Sequence, residues 1–406
     1  MNTNRPTFLF VGNGSYLNRG CEAIVRGTVK ILRHAFDDPK FVNANFDVTN
    51  PAFMPNESDP GITHTPIVSS RRWTTKWILW QILRRTNKHL ANSLYFSGIR
   101  NNIKECAAVF SLGGDNYSLD YGIPWGFVNL DNYVLKHNKP LVIWGASVGP
   151  FDHEPDFAKD MHRHLREEVT AIFVREKKSL EYLAKNGVCD NVYLMSDPAF
   201  LMDPEPTDSK LLGFDMPKEA IGFNISPLMT CYIGDNKRET LVDISLELLS
   251  CLRKTTQRPI VLIPHVTSPH SNDYTLLNEI REKLKLKDDI YLVPENINAA
   301  QTKWVISKLN CLVASRTHAT IAAFSTCVPT VSLAYSTKAY GLNEMLFGHT
   351  DFVVSPEDFS PMIIQEKIKM VIEQNNHIRE SLKGGMQDVN ALALDAGLKF
   401  KEIIRK

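Results

Sequence analysis

Short apolar runs alternate with longer stretches whose apolar positions recur at helical spacing along most of the chain. Such runs, lying between helical patterns, predict strands buried on both faces, as in parallel sheets with crossover helices. The predicted strands of a first series are Thr7–Val11, Phe41–Val48, Ala108–Leu112, Pro140–Gly145, Ala171–Val174 and Val192–Leu194. A second series comprises Ile221–Ile225, Pro259–Pro264, Ile290–Leu292, Cys311–Ala314 and Thr330–Leu333. Helices are expected between them, among them Glu22–Ala35, Phe157–Glu168, Ser179–Asn186, Thr240–Lys254, Tyr274–Leu284 and Ala299–Lys308. The segment from about Pro361 also has helical spacing, with Gly384-Gly385 expected to interrupt it.

The series breaks at Asp203-Pro204-Glu205-Pro206-Thr207-Asp208, a proline- and acid-rich stretch of linker character. The expected domains are residues 1–203 and 209–360, each the size of a doubly wound α/β domain, followed by a helical segment over 361–406. The fold class is α/β: two Rossmann-like parallel-sheet domains facing across a cleft, a GT-B-like arrangement.

Composition narrows the picture mainly by exclusion. With a net charge of +1, the whole-molecule balance names no partner. Seven cysteines are scattered without a Cys-x-x-Cys pair or zinc-like spacing, which fits buried thiols in a reducing compartment. Neither a signal peptide nor an apolar run long enough to span a bilayer is evident, so a cytoplasmic location is expected. No nucleic-acid-binding module is present.

The chemistry gathers at strand ends. Ser315-Arg316-Thr317-His318 lies between a predicted strand and a small-residue helix starting near Ala319. At such a junction backbone N–H groups and the helix dipole favour an anion, and a histidine two residues from an arginine adds a proton donor. The competing structural reading pairs Arg316 with a carboxylate and makes His318 a helix cap. Gly113-Gly114-Asp115-Asn116-Tyr117 ends another strand, with Asp115 and Asp120 as carboxylates that could take a proton or form an Asx turn. Arg175, His265 and Lys338 also follow strands, and Asp197 is a candidate partner for a base. Gly12-Asn13-Gly14 resembles the start of a dinucleotide fingerprint, with Asp47 as a ribose acid, but its third glycine comes too late. Neither metal-ligand spacing nor a Gly-x-Ser-x-Gly elbow is found.

Together these segments resemble the polysaccharide pyruvyl transferase family. The resemblance runs from Gly12 to about Phe347. It rests on Asn18-Arg19-Gly20-Cys21-Glu22-Ala23-Ile24, Gly113-Gly114-Asp115, Gly145-Ala146-Ser147-Val148-Gly149-Pro150, Val174-Arg175-Glu176-x-x-Ser179, Ser196-Asp197-Pro198-Ala199-Phe200, Ser315-Arg316-Thr317-His318 and Tyr335-x-x-Lys338. Cys21 stands where members often have Asp, and Glu176 where Asp is common. The resemblance implies transfer of pyruvate from phosphoenolpyruvate onto saccharide hydroxyls as a ketal. Phosphoenolpyruvate is then a co-substrate, and neither metal nor cofactor is needed. The N-terminal domain would be the acceptor side and the C-terminal domain the phosphoenolpyruvate side. His318 is the expected acid for the methylene carbon, and Asp115 is expected to orient or deprotonate the acceptor. Arg316 and Arg175 would supply charged forks, Lys338 a point charge and Thr317 a helix N–H, with Asn18 and His265 completing the binding set. Two alternatives are a nucleotide-sugar glycosyltransferase, with Glu295 or Glu344 as its ribose acid, and a non-catalytic saccharide-binding protein.

One segment stands apart. Between Gly61 and Lys104 there is no Asp or Glu, but there are Arg71, Arg72, Lys76, Arg84, Arg85, Lys88, Arg100 and Lys104. Trp73, Trp77 and Trp80 fall on one helical face. The favoured expectation is a helix packing this face on the first sheet. The alternative is peripheral membrane contact through residues 71–88, bringing the enzyme to a lipid-linked acceptor.

Overall fold

The computed structural model describes residues 5–45, 57, 59–67, 73–120, 122–233, 237–285, 288–335 and 337–405. Asp47, the end of the second predicted strand, Arg71 and Arg72 lie outside these. The chain forms two compact units, each built on a parallel sheet. Unit 1 comprises Met1–Tyr16, Ile24–Leu201 and Asn390–Lys406; unit 2 comprises Leu17–Ala23 and Met202–Val389.

The sheet of unit 1 contains β1 (Thr7–Val11), β2 (Lys40–Asn45), β3 (Ile62–Pro66), β4 (Ala108–Leu112), β5 (Leu141–Ala146), β6 (Ala171–Val174) and β7 (Val192–Leu194). Their order is β3-β2-β1-β4-β5-β6-β7, all parallel. Chain progression reverses between β1 and β4. That is the switch point, where crossovers leave on opposite faces and a crevice opens at the strands' carboxyl ends. The loop after Val11 and the Gly113-Gly114-Asp115 turn both sit there. β3 escaped sequence detection because Ile-Thr-His-Thr-Pro is too polar to read as a buried strand, and it lies at the sheet edge.

Unit 2 contains β8 (Ile221–Asn224), β9 (Ile260–Leu262), a short antiparallel pair β10 (Thr267–Ser268) and β11 (Ser271–Asn272), β12 (Ile290–Leu292), β13 (Cys311–Ala314), β14 (Thr330–Leu333) and β15 (Val353–Val354). The parallel sheet has the order β12-β9-β8-β13-β14-β15. Its switch point lies between β8 and β13, so Ser315-Arg316-Thr317-His318 emerges at the crevice of this sheet.

Three expectations need correction. The chain is not divided at the linker alone, because Leu17–Ala23 belongs to unit 2 and Asn390–Lys406 to unit 1. The final helix, Asn375–Ile403, runs unbroken through Gly384-Gly385. Glycine weakens a helix by about 1 kcal/mol without forbidding it, and buried Leu382, Met386, Val389, Ala393, Ala396 and Phe400 anchor both sides of the pair. Phe400 sits with its ring centroid 4.7 Å from Phe110 and 5.9 Å from both Phe8 and Phe36, inside the core of unit 1. The third correction concerns the tryptophan stripe. Helix α1 covers Arg19–Ala35, α2 covers Thr75–Thr86 and α3 covers Lys88–Tyr95. None of the 12 residues of α2 is buried. Phe96, Ile99 and Ile103, which follow α3, fill the core where α2 was expected. Thus α2 packs on α3, with Trp80 stacked on Tyr95 at 5.0 Å.

Candidate active site

In unit 2, a buried carboxylate organises the strand ends. Asp273 is the first residue of the helix Asp273–Lys283 and is fully buried. Its Oδ2 accepts the backbone N–H groups of His265 (3.1 Å) and Val266 (3.0 Å), just beyond β9. Arg316 donates to it from Nη2 (2.7 Å to Oδ1) and from Nε (3.3 Å to either oxygen), and its Nη2 also reaches Ser271 Oγ at 2.7 Å. Asn224, ending β8, accepts the Arg316 N–H at 3.0 Å through Oδ1 and donates through Nδ2 to the Ile263 carbonyl at 2.9 Å. Three strand ends are thereby tied together. Burial disfavours the Arg316 charge, but Asp273 and Tyr335 outweigh it and raise its pKa.

The start of α1 belongs to the same unit. Asn18 Oδ1 accepts the Gly20 N–H at 3.0 Å, and the His265 carbonyl accepts the Arg19 N–H at 3.0 Å. Arg19 is buried and donates through Nη2 to the Glu295 carbonyl at 2.6 Å, while Glu22 Oε2 accepts the Ala299 N–H at 2.9 Å. Gly20 lies against the His318 imidazole; a Cβ on it would come 2.5 Å from Nδ1. His318 is half-buried in the first turn of the helix Thr317–Phe324. His265 is pushed well below its ordinary pKa by burial, then by His318, Arg316 and Arg19, so it stands neutral beside the two guanidinium groups. Thr317 and Tyr335 line a pocket between β13, β14 and the helix Thr337–Phe347, whose second residue is the half-buried Lys338.

Unit 1 holds the remaining motifs. Arg175, just past β6, donates from Nη1 to Asp197 Oδ2 (2.8 Å), from Nη2 to Asp115 Oδ1 (3.0 Å) and from Nε to Ser147 Oγ (3.1 Å). Burial opposes its charge, yet Asp115 and Asp197 raise its pKa. Gly114 leaves room for this guanidinium, since a Cβ there would come 2.5 Å from Nη1. Asn116 Nδ2 donates to the Gly12 and Leu112 carbonyls. Tyr117 donates through its hydroxyl to Asp131 at 3.0 Å, Asp131 faces His164 Nε2 at 3.3 Å, and His164 Nδ1 lies 2.7 Å from Glu168.

The structure therefore brings Asn18, His265, Arg316, Thr317 and His318 to neighbouring strand and helix ends of unit 2, with Lys338 one strand further on. Asp115 and Arg175 are joined in unit 1. Two expected roles change. The Arg175 fork is engaged by two carboxylates and a serine, so it holds the Asp115 loop rather than offering three donors to a ligand. The Nε/Nη2 edge of Arg316 is likewise engaged by Asp273, the pairing that the competing structural reading anticipated. Asn18 caps α1 through its side chain. Asp273, Arg19 and Glu22 escaped selection because their partners lie far away in sequence; Arg19 and Glu22 at least stood within a recognised segment.

The comparisons with known proteins bear on family and fold. The family model for polysaccharide pyruvyl transferase matches residues 18–337. No curated protein matches the sequence. Among solved structures, the chain is similar to UDP-GlcNAc 2-epimerase from Methanocaldococcus jannaschii (11% identity, 91% of this chain and 92% of that one, TM-score 0.55). It is also similar to a UGT transferase from Siraitia grosvenorii (10% identity, 99% and 100%, TM-score 0.55). A third is the E. coli ADP-heptose LPS heptosyltransferase II (10% identity, 91% and 99%, TM-score 0.50). At these identities the likeness establishes the two-domain α/β fold of GT-B glycosyltransferases and epimerases, and nothing about substrate. With its motif residues at strand and helix ends and the family model spanning residues 18–337, the chain belongs to the polysaccharide pyruvyl transferase family.

Proposed function

We propose that the chain transfers pyruvate from phosphoenolpyruvate to a saccharide, forming a pyruvate ketal and releasing phosphate. The observation that carries this reading is the cluster of Arg19, neutral His265, Arg316 and His318 at the β8–β13 switch point of unit 2. Cationic side chains and the N-terminus of the helix Thr317–Phe324 suit a small molecule bearing both a carboxylate and a phosphate. His318 delivers a proton to the methylene carbon, which makes the adjacent carbon electrophilic. One acceptor hydroxyl adds to that carbon and the carbon–oxygen bond to phosphate breaks. A second hydroxyl then closes the ketal. The two hydroxyl protons balance the proton gained by the methyl group and the one carried away on phosphate. Lys338 contributes a point charge toward the anion.

The test is phosphate release from phosphoenolpyruvate with and without a panel of saccharides. Acceptor-dependent release supports the proposal. Absence of release with every acceptor, together with turnover of a nucleotide sugar, would favour the glycosyltransferase reading.

A further inference from the structure

A 12-residue helix is marginal in water unless its apolar face is covered, and α2 buries none of its residues. Trp77, Trp80 and Leu83 are half-buried toward the α3 side. The opposite face presents Ile78, Leu79 and Ile82 to solvent, with Ile82 55% exposed. Trp73, just before the helix, is 74% exposed and its ring centroid lies 5.0 Å from that of Trp77; Leu90 of α3 is 53% exposed. These residues form an apolar surface rather than scattered exposed side chains. Exposed Lys76, Arg84, Arg85 and Lys88 surround it, and no carboxylate occurs from Gly61 to Lys104 to neutralise them.

We propose that α2 and the turn before it dock on an anionic lipid surface. Trp73, Ile78, Leu79 and Ile82 enter the headgroup–acyl boundary, and the lysines and arginines lie on the headgroups. Charge selects this occupant. A second copy of the chain would bring two acid-free basic faces together, and an anionic polymer would leave the isoleucines and leucine uncovered. Among the described residues no helix is long and apolar enough to cross a membrane. At about 18 Å, α2 is too short to span a bilayer and suits lying in its surface.

The experiment is sedimentation of the full chain with vesicles of phosphatidylcholine alone or of equal parts phosphatidylcholine and phosphatidylglycerol. Binding is expected only to the anionic vesicles and should fall as salt is raised. Replacing Arg84 and Arg85 together by Gln should weaken partitioning roughly 30-fold. The pair Ile78→Ser and Ile82→Ser should weaken it at least about tenfold. All four substituted side chains are exposed, so circular dichroism and thermal melting should match the parent chain. Equal binding to both vesicle types would overturn the proposal. So would binding unchanged by the isoleucine pair and reproduced by a soluble polyanion, or a dimer in solution that the isoleucine pair abolishes.

Discussion

Arg316 and Asp273 form a pair buried deeply enough that neither can be removed alone at small cost. Loss of one member leaves the other as an uncompensated charge. Asp273→Ala should therefore destabilise unit 2 by about 3–5 kcal/mol, measured by urea denaturation. Arg316→Lys should lower stability, because lysine cannot reproduce the Nε/Nη2 fork that grips Asp273, and under the proposed function it should also weaken phosphoenolpyruvate binding; unchanged values in both would remove Arg316 from either role. His318→Ala should behave differently. Its expected loss is phosphate release, on the order of 100-fold, while calorimetric binding of phosphoenolpyruvate largely persists. The turn carrying these residues was legible in the sequence, because an apolar run followed by Ser-Arg-Thr-His and small residues marks a strand end and a helix start. The pairing itself was not. Nothing local distinguishes Asp273 from other helix-opening acids, and its partner stands 43 positions away.

Among elements, α1 shows how one missing Cβ serves different ends at different positions. At Gly27 a Cβ would overlap the backbone carbonyl of Pro198, which cannot turn aside. Gly27→Ala should therefore destabilise unit 1 by about 2 kcal/mol or more, despite alanine's better helix propensity. At Gly20 the obstacle is the His318 ring, a side chain able to rotate. Gly20→Ala should keep stability within about 1 kcal/mol but reduce phosphate release on the order of 100-fold by displacing the ring. Equal effects of the two substitutions on stability would refute this contrast. Helical periodicity showed where such helices lie; it could not show what each face meets. The same gap explains α2, whose tryptophan stripe looked like a core face until α3 and the residues after it were seen to fill that core. It also explains Gly384-Gly385, where buried residues on either side override a weak local break.

For the whole molecule, the two units should respond to pH in opposite directions. Burial opposes the charge on His164 in unit 1, but Asp131 and Glu168 outweigh it and raise its pKa above the ordinary 6.5. The folded unit then holds a proton that the unfolded chain releases. Its contribution is complete below pH 6.5 and fades as pH rises through the raised value. His265 in unit 2 is depressed well below 6.5, chiefly by burial. There the unfolded chain gains the proton first, so unit 2 loses stability as pH falls below 6.5. Each slope is limited to about 1.4 kcal/mol per pH unit for one proton. Hydrogen exchange read separately in each unit should show unit 1 loosening on the alkaline side and unit 2 on the acid side. His164→Gln should flatten the first trend and His265→Gln the second; parallel behaviour in both units would contradict the assignment. The parallel sheet of each unit followed from the alternation of strands and helices. The exchange of Leu17–Ala23 and Asn390–Lys406 between units did not, because a helical pattern carries no mark of the sheet on which each of its turns belongs.

Phe400 gives that exchange a consequence for biosynthesis. The ring that closes the aromatic cluster of unit 1 follows the whole of unit 2 in the sequence. Translation supplies nearly all of this unit first, yet must finish unit 2 before releasing the residue that completes it. The domain begun earliest is completed last, and a ribosome halted at the linker would hold a nascent chain whose core still lacks its closing side chain.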